Sequence, residues 1–185
     1  MEGFEPRWLS GLAAVRWEHG RRLAALVGRR LTAAWLAWEL DGDCWWNDAP
    51  VVFDFGGEQL EISHRKFDEL SITWTSIQVT RPPADPMFQI AWRDDMCHRL
   101  TALHGQVLSS VALLEWQGEQ RDLGTGAVAV HLAFTSGGSV TVANALDENE
   151  LDFGAPGPHW RRHALSQRGG REWPLGEISP RPVLR

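Results

Sequence analysis

Lysine is almost missing from this chain of 185 residues: Lys66 is the only one, and every other basic side chain apart from histidine is arginine. Together with abundant Ala, Gly and Trp, that bias is what a GC-rich bacterial genome encodes. Cysteine is equally scarce. With only Cys44 and Cys97, the sequence implies no disulfide framework. No run approaches the ~18 consecutive apolar residues that a membrane span requires. The first residues, MEGFEPRWLS, lack the basic start and apolar stretch of a signal peptide. The expectation is a soluble, cytoplasmic bacterial protein with no membrane contact.

Positive charge is also lacking where a nucleic-acid binder would need it. The formal net charge is -6, unevenly spread. Residues 28–80 carry nine acids and four bases, and residues 105–153 carry seven acids and one base. Residues 154–185 reverse the balance, with six arginines and two acids. Phosphate recognition needs clustered Lys and Arg, so the acidic body argues against nucleic acid. It fits a basic protein partner.

What the sequence does contain is a repeat. At an offset of 77, Arg22, Leu23, Gly28, Leu31 and Val51 fall on Arg99, Leu100, Gly105, Leu108 and Val128. Further on the offset grows to 81, where Gly56-Gly57 meets Gly137-Gly138 and Glu69-Leu70 meets Glu150-Leu151. Two copies are too few for a solenoid, which needs roughly three or more. Residues 1–80 are therefore read as a first repeat, 86–153 as a second, and 154–185 as an Arg/Pro/Gly-rich tail. The two repeats should share one structural domain, with RPPADP (residues 81–86) as linker.

Each copy opens with a helical pattern, over residues 6–28 and 86–105. Gly20 is a break candidate, Pro86 suits a first turn, and Gly28 and Gly105 suit the left-handed position past a helix end. Strands follow. Val51, Phe53 and Phe55 alternate before Gly56-Gly57; Val128, Val130, Leu132 and Phe134 alternate before Gly137-Gly138. Gly-Gly between alternating runs marks a hairpin, because primed turns need positive φ. Further strands are expected at Leu70 to Val79 and near Leu151 to Phe153. The fold class is α+β: an internally duplicated α-β-β-β-β unit, its two copies forming a curved antiparallel sheet or partly open β-barrel flanked by two helices. The tail is read as loop or an edge-covering segment, with Trp160 and Trp173 docking on the body.

Several strings imitate catalytic motifs without their context. Asp54-Phe55-Gly56 and Asp152-Phe153-Gly154 spell the kinase metal-binding tripeptide, but no glycine-rich loop, strand lysine or catalytic loop accompanies them. Gly124-Thr125-Gly126 opens a strand, whereas a dinucleotide fingerprint opens a helix. His159 and His163 have the spacing of helical metal ligands, and Cys97-His98 precedes His104, yet no further ligand stands beside either group. Asp54 and His131 occupy equivalent positions in the two copies and would meet if a pseudo-twofold axis passed between their strands. No catalytic residue, metal site or cofactor is assigned.

The most distinctive segment is the acidic, tryptophan-bearing loop Asp41-Gly42-Asp43-Cys44-Trp45-Trp46-Asn47-Asp48. Its counterpart, residues 118–124, has no aromatic. Exposed indoles beside carboxylates suit a cationic protein patch, a sugar ring or an amine. The leading expectation is a non-catalytic binding protein whose acidic face and exposed tryptophans grip a basic protein, with Asp41, Asp43, Trp45, Trp46 and Asp48 as anchors. Bacterial immunity proteins and antitoxins that neutralise nucleases act in this manner. A second expectation is a sugar- or amine-binding protein with a Trp-lined pocket, and a third is an enzyme of unrecognised type. A homodimer or the tail would cover the sheet edges that such a fold exposes.

Overall fold

The computed structural model describes residues 3–118 and 122–166. Among them the chain forms two helices and two antiparallel sheets, and it is mostly sheet.

The first sheet has seven strands: β1 (Leu9–Ser10), β2 (Ala33–Glu39), β3 (Cys44–Trp45), β4 (Val51–Asp54), β5 (Gln59–Arg65), β6 (Glu69–Trp74) and β7 (Ile90–Arg93). Their order is β1-β6-β5-β4-β2-β3, and β7 also pairs with β2. The second sheet has five: β8 (Leu108–Trp116), β9 (Val128–Phe134), β10 (Ser139–Asn144), β11 (Asn149–Phe153) and β12 (Trp160–Leu165), in the order β11-β10-β9-β8-β12. Helix α1 (Leu12–Ala25) packs against β8 and β12, and the single-turn α2 (His98–Thr101) lies against β2.

Alternation decides which side chains meet. Phe53, Leu60, Ile62 and Ile72 of the first sheet enter the same apolar cluster as Leu113, Val130, Leu132 and Val142 of the second. Val15, Leu23 and Leu26 of the α1 segment close it. Truncating a buried ring such as Phe53 would cost about 3–5 kcal/mol. The opposite face of the first sheet carries a second cluster: Ala37, Val52, Ile77, Ile90 and Trp92. The opposite face of the second sheet is floored mainly by alanine, with Ala112, Leu114, Ala129 and Ala143 beneath Trp160. The hairpin glycines adopt the expected positive φ, 73° and 91° at Gly56 and Gly57 and 88° at Gly137.

Three local expectations change. Gly20 does not break α1; it is buried inside the helix, where a Cβ would make ordinary contact with Leu165. The helix expected over 86–105 is mostly absent: β7 takes Ile90–Arg93, and only His98–Thr101 is helical. Ile90 and Trp92 alternate into the second cluster, and pairing with β2 satisfies backbone groups that β4 leaves open. The fourth strand of the first copy ends at Trp74, short of the Val79 expected, because Ser76 and Ile77 turn back to bond Glu61. Within the tail, the edge-covering alternative holds: Trp160–Leu165 is a full strand that pairs with β8 from Val111 to Trp116. Trp173 and the remainder of the tail lie outside the described residues, as does the centre of the 118–124 loop.

Candidate functional site

The loop singled out by its acids and tryptophans is a hairpin: Leu40 to Asp43 form the turn, and β3 returns against β2 with Trp38 opposite Trp45. Asp43 takes the left-handed φ of 50° at the turn and accepts a hydrogen bond from Trp38 Nε1 at 2.8 Å. Glu39 braces the same turn, accepting from the Gly42 amide at 3.0 Å.

Trp45 and Trp46 do not stand free as the sequence implied. Both are half-buried, because neighbouring residues on an extended chain face opposite ways and each face meets an apolar cluster. Trp45 leans on the main core. Trp46 packs on the second cluster and donates from Nε1 to Asp48 at 3.2 Å. Asp41, Asp43 and Asp48 are exposed.

Beside the hairpin, apolar groups from the linker end reach solvent, in a segment whose sequence pattern predicts a helix. Met87 is 78% exposed, and Phe88 and Leu40 are nearly half exposed. The Leu40 amide donates to the Gln89 carbonyl at 2.8 Å, and the Phe88 ring lies 6.2 Å from that of Trp46. Asp85 holds this segment in shape, its Oδ1 accepting from the Met87 and Phe88 amides at 2.8 and 3.0 Å. The result is a patch of Leu40, Trp46, Met87 and Phe88 bordered by Asp41, Asp48 and Asp85. Only the long-range pairing of β7 with β2 brings the two segments together; their separation in sequence gives no hint of it.

The hairpin base also reaches the second sheet. Asn149 donates from its backbone and from Nδ2 to the Asn47 carbonyl, at 3.0 and 2.9 Å. Asp48 and Glu148 are thus each one residue from this junction. The acidic turn between β10 and β11 adjoins the turn between β5 and β6 as well: Asn144 Nδ2 donates to the Lys66 carbonyl at 2.9 Å, and the Lys66 amide donates to Asp147.

The other sequence candidates are dispersed. Asp54 and His131 sit in different sheets. Asp54 accepts from Thr32 and from the Gly57 amide, and His131 Nδ1 meets Thr141 Oγ1 at 2.9 Å. His159 rests on the Trp116 ring, while His163 faces Glu115 at 3.2 Å. Their four-residue separation lies along extended chain, where it spans about 13 Å and cannot chelate one ion. No group of three or more His, Cys, Asp or Glu side chains with a metal-binding arrangement occurs among the described residues. The Cys44 thiol is pushed up in pKa by burial, then by Glu39 and Asp43, opposite to the direction a nucleophilic thiolate requires.

No protein-family model, curated protein or solved structure matches this chain. No helix among the described residues is long and apolar enough to cross a membrane.

Proposed function

We propose that this is a non-catalytic, cytoplasmic bacterial binding protein that grips a basic partner protein, in the manner of immunity proteins and antitoxins. The observation that carries the reading is the exposed Leu40–Trp46–Met87–Phe88 patch with aspartates at its border. Interfaces concentrate aromatic and Met side chains at their centre and polar groups at their rim, and opposite charge at the rim speeds encounter. Asp41, Asp43 and Asp48 supply that charge, and Trp46 forms part of the apolar centre. Trp45 supports the hairpin from beneath.

The test is a pull-down at low salt, followed by titration of the captured basic protein against Met87→Ala and Phe88→Ala. Each should weaken binding by about 2 kcal/mol. Losses of a few tenths would refute the assignment.

The fold is read as a duplication fused into one pseudo-symmetric body. Three observations support this. Strand orders β6-β5-β4-β2 and β11-β10-β9-β8 match, each with its helix preceding its first main strand. Each helix packs against strands of the other copy. The copies also meet at equivalent residues: Arg30 bridges Val107 at the offset of 77, and Lys66 bonds Asp147 at the offset of 81.

A further inference from the structure

The outer face of the second sheet, far in sequence from the hairpin, holds a groove of about 500 Å³. That volume is in the range of small-molecule sites, roughly 300–1,000 Å³. Its floor is shallow because the outward positions are alanines, among them Ala127 and Ala143. One wall is Trp116 and Trp160, packed edge to face with ring centroids 4.9 Å apart. Across the sheet stand Glu150 and Asp152 on β11, two residues apart and therefore on one face. Strand order places β11 three spacings from β8, about 14 Å, so the carboxylates and indoles lie at opposite ends.

The ends are built differently. At the aromatic end Asp122 is already engaged, accepting from Trp116 Nε1 at 2.6 Å and from the Gly124 amide at 2.8 Å. Its pKa is held down by those same two bonds. At the far end, among the described residues, no hydrogen bond or ion pair engages the Glu150 or Asp152 side chain. Burial and the neighbouring Asp152 charge raise the Glu150 pKa, a penalty that a cation between the two would relieve. Arg162, the arginine on this outer face, turns toward Ser110 at 3.3 Å and does not line the groove. Leu123 and Leu146 flank the floor, and they are 72% and 75% exposed.

The geometry points to a binding site for a small organic cation, with its ammonium held by Glu150 and Asp152 and its apolar body lying on the alanine floor against Trp160 and Trp116. This site is independent of the proposed protein interface, and its failure would leave that interface untouched. Gly118 protects the aromatic end, because a Cβ there would come within 2.6 Å of the Asp122 Cβ.

The experiment titrates 4-phenylbutylamine, protonated at neutral pH and long enough to reach both ends, into 15N-labelled protein and follows the indole N–H signals of Trp116 and Trp160. 4-Phenylbutanol is the neutral control of the same shape. The expected result is saturable shifts of those two signals by the amine, with the alcohol at least about tenfold weaker. The paired change Glu150→Gln with Asp152→Asn, at exposed positions that should not disturb folding, should abolish the preference for the amine. Gly118→Ala should weaken both ligands by displacing the Asp122 loop. Equal binding of the alcohol would overturn the proposal. So would unchanged amine binding by the paired variant, or no shift at about 10 mM amine.

Discussion

Arg30 and Val107, 77 residues apart, face each other across an isolated antiparallel bridge. The surrounding hydrogen bonds come in matched pairs. The Gly28 amide donates to the Leu108 carbonyl at 2.8 Å, and the Gly105 amide donates to the Leu31 carbonyl at 2.7 Å. The Leu31 amide reaches the Gln106 carbonyl as the Leu108 amide reaches that of Arg29, at 2.9 and 2.8 Å. The segment that follows α1 thus pairs with the segment that follows α2.

Gly28 and Gly105 should therefore respond alike to substitution. Their φ values are 90° and 79°, and a side chain in that region is strained. Gly28→Ala and Gly105→Ala should each destabilise the fold by about 1 kcal/mol in urea denaturation. A markedly unequal pair would show that the two crossings do not carry equal strain.

Glu61 is wholly buried, with four donors converging on its carboxylate. Oε1 accepts from the Ser76 and Ile77 amides at 2.6 and 2.7 Å, and Oε2 from the Thr73 and Ser76 hydroxyls at 2.5 Å. Removing the acceptor leaves buried donors unpaired, so Glu61→Ala should cost about 3 kcal/mol or more. Thermal unfolding measures it, and a loss under about 1 kcal/mol would mean that water replaces the carboxylate at little cost.

His64 predicts a pH dependence. It is buried at the seam between the sheets, with Nδ1 3.1 Å from Asn149 Oδ1 and Nε2 3.2 Å from the Val128 carbonyl. Burial lowers its pKa to about 4, against 6.5 for the ordinary group. Between those values the unfolded chain binds more protons, so stability must fall as the pH falls through this window. The loss should approach about 3 kcal/mol below pH 4. His19, His104 and His131 are also lowered, chiefly by burial, and act in the same direction. Comparing the acid limb of stability for wild type and His64→Gln isolates the seam histidine; identical slopes would refute its part.

At the proposed interface, charge and anchors should separate kinetically. Asp41→Asn and Asp48→Asn alter the exposed rim, so they should slow association and flatten its salt dependence while leaving dissociation nearly unchanged. Phe88→Ala should act mainly on dissociation. Stopped-flow measurement at two ionic strengths distinguishes the two patterns.

The repeated hairpins were readable because alternation over Val51–Phe55 and Val128–Phe134 and the Gly-Gly turns are local signals. The acidic character of residues 41–48 was readable in the same way, whereas the return strand β3 within them was not. The position of β7 was not, since residues 86–93 satisfy a helical stripe about as well as an alternating one. Only the open edge of β2 decides between them.

By itself, then, the sequence determined the α+β class, the hairpins, the left-handed glycines and the acidic surface. Each depends on neighbours within a few residues, where sterics and alternation act. The tertiary structure alone decided that Trp45 and Trp46 are half-buried, that Met87 and Phe88 join Leu40 at the surface, and that Trp116 and Trp160 wall a groove facing Glu150. Those outcomes depend on which strands pair across long stretches of chain, and burial at each site is settled only by what the pairing brings alongside.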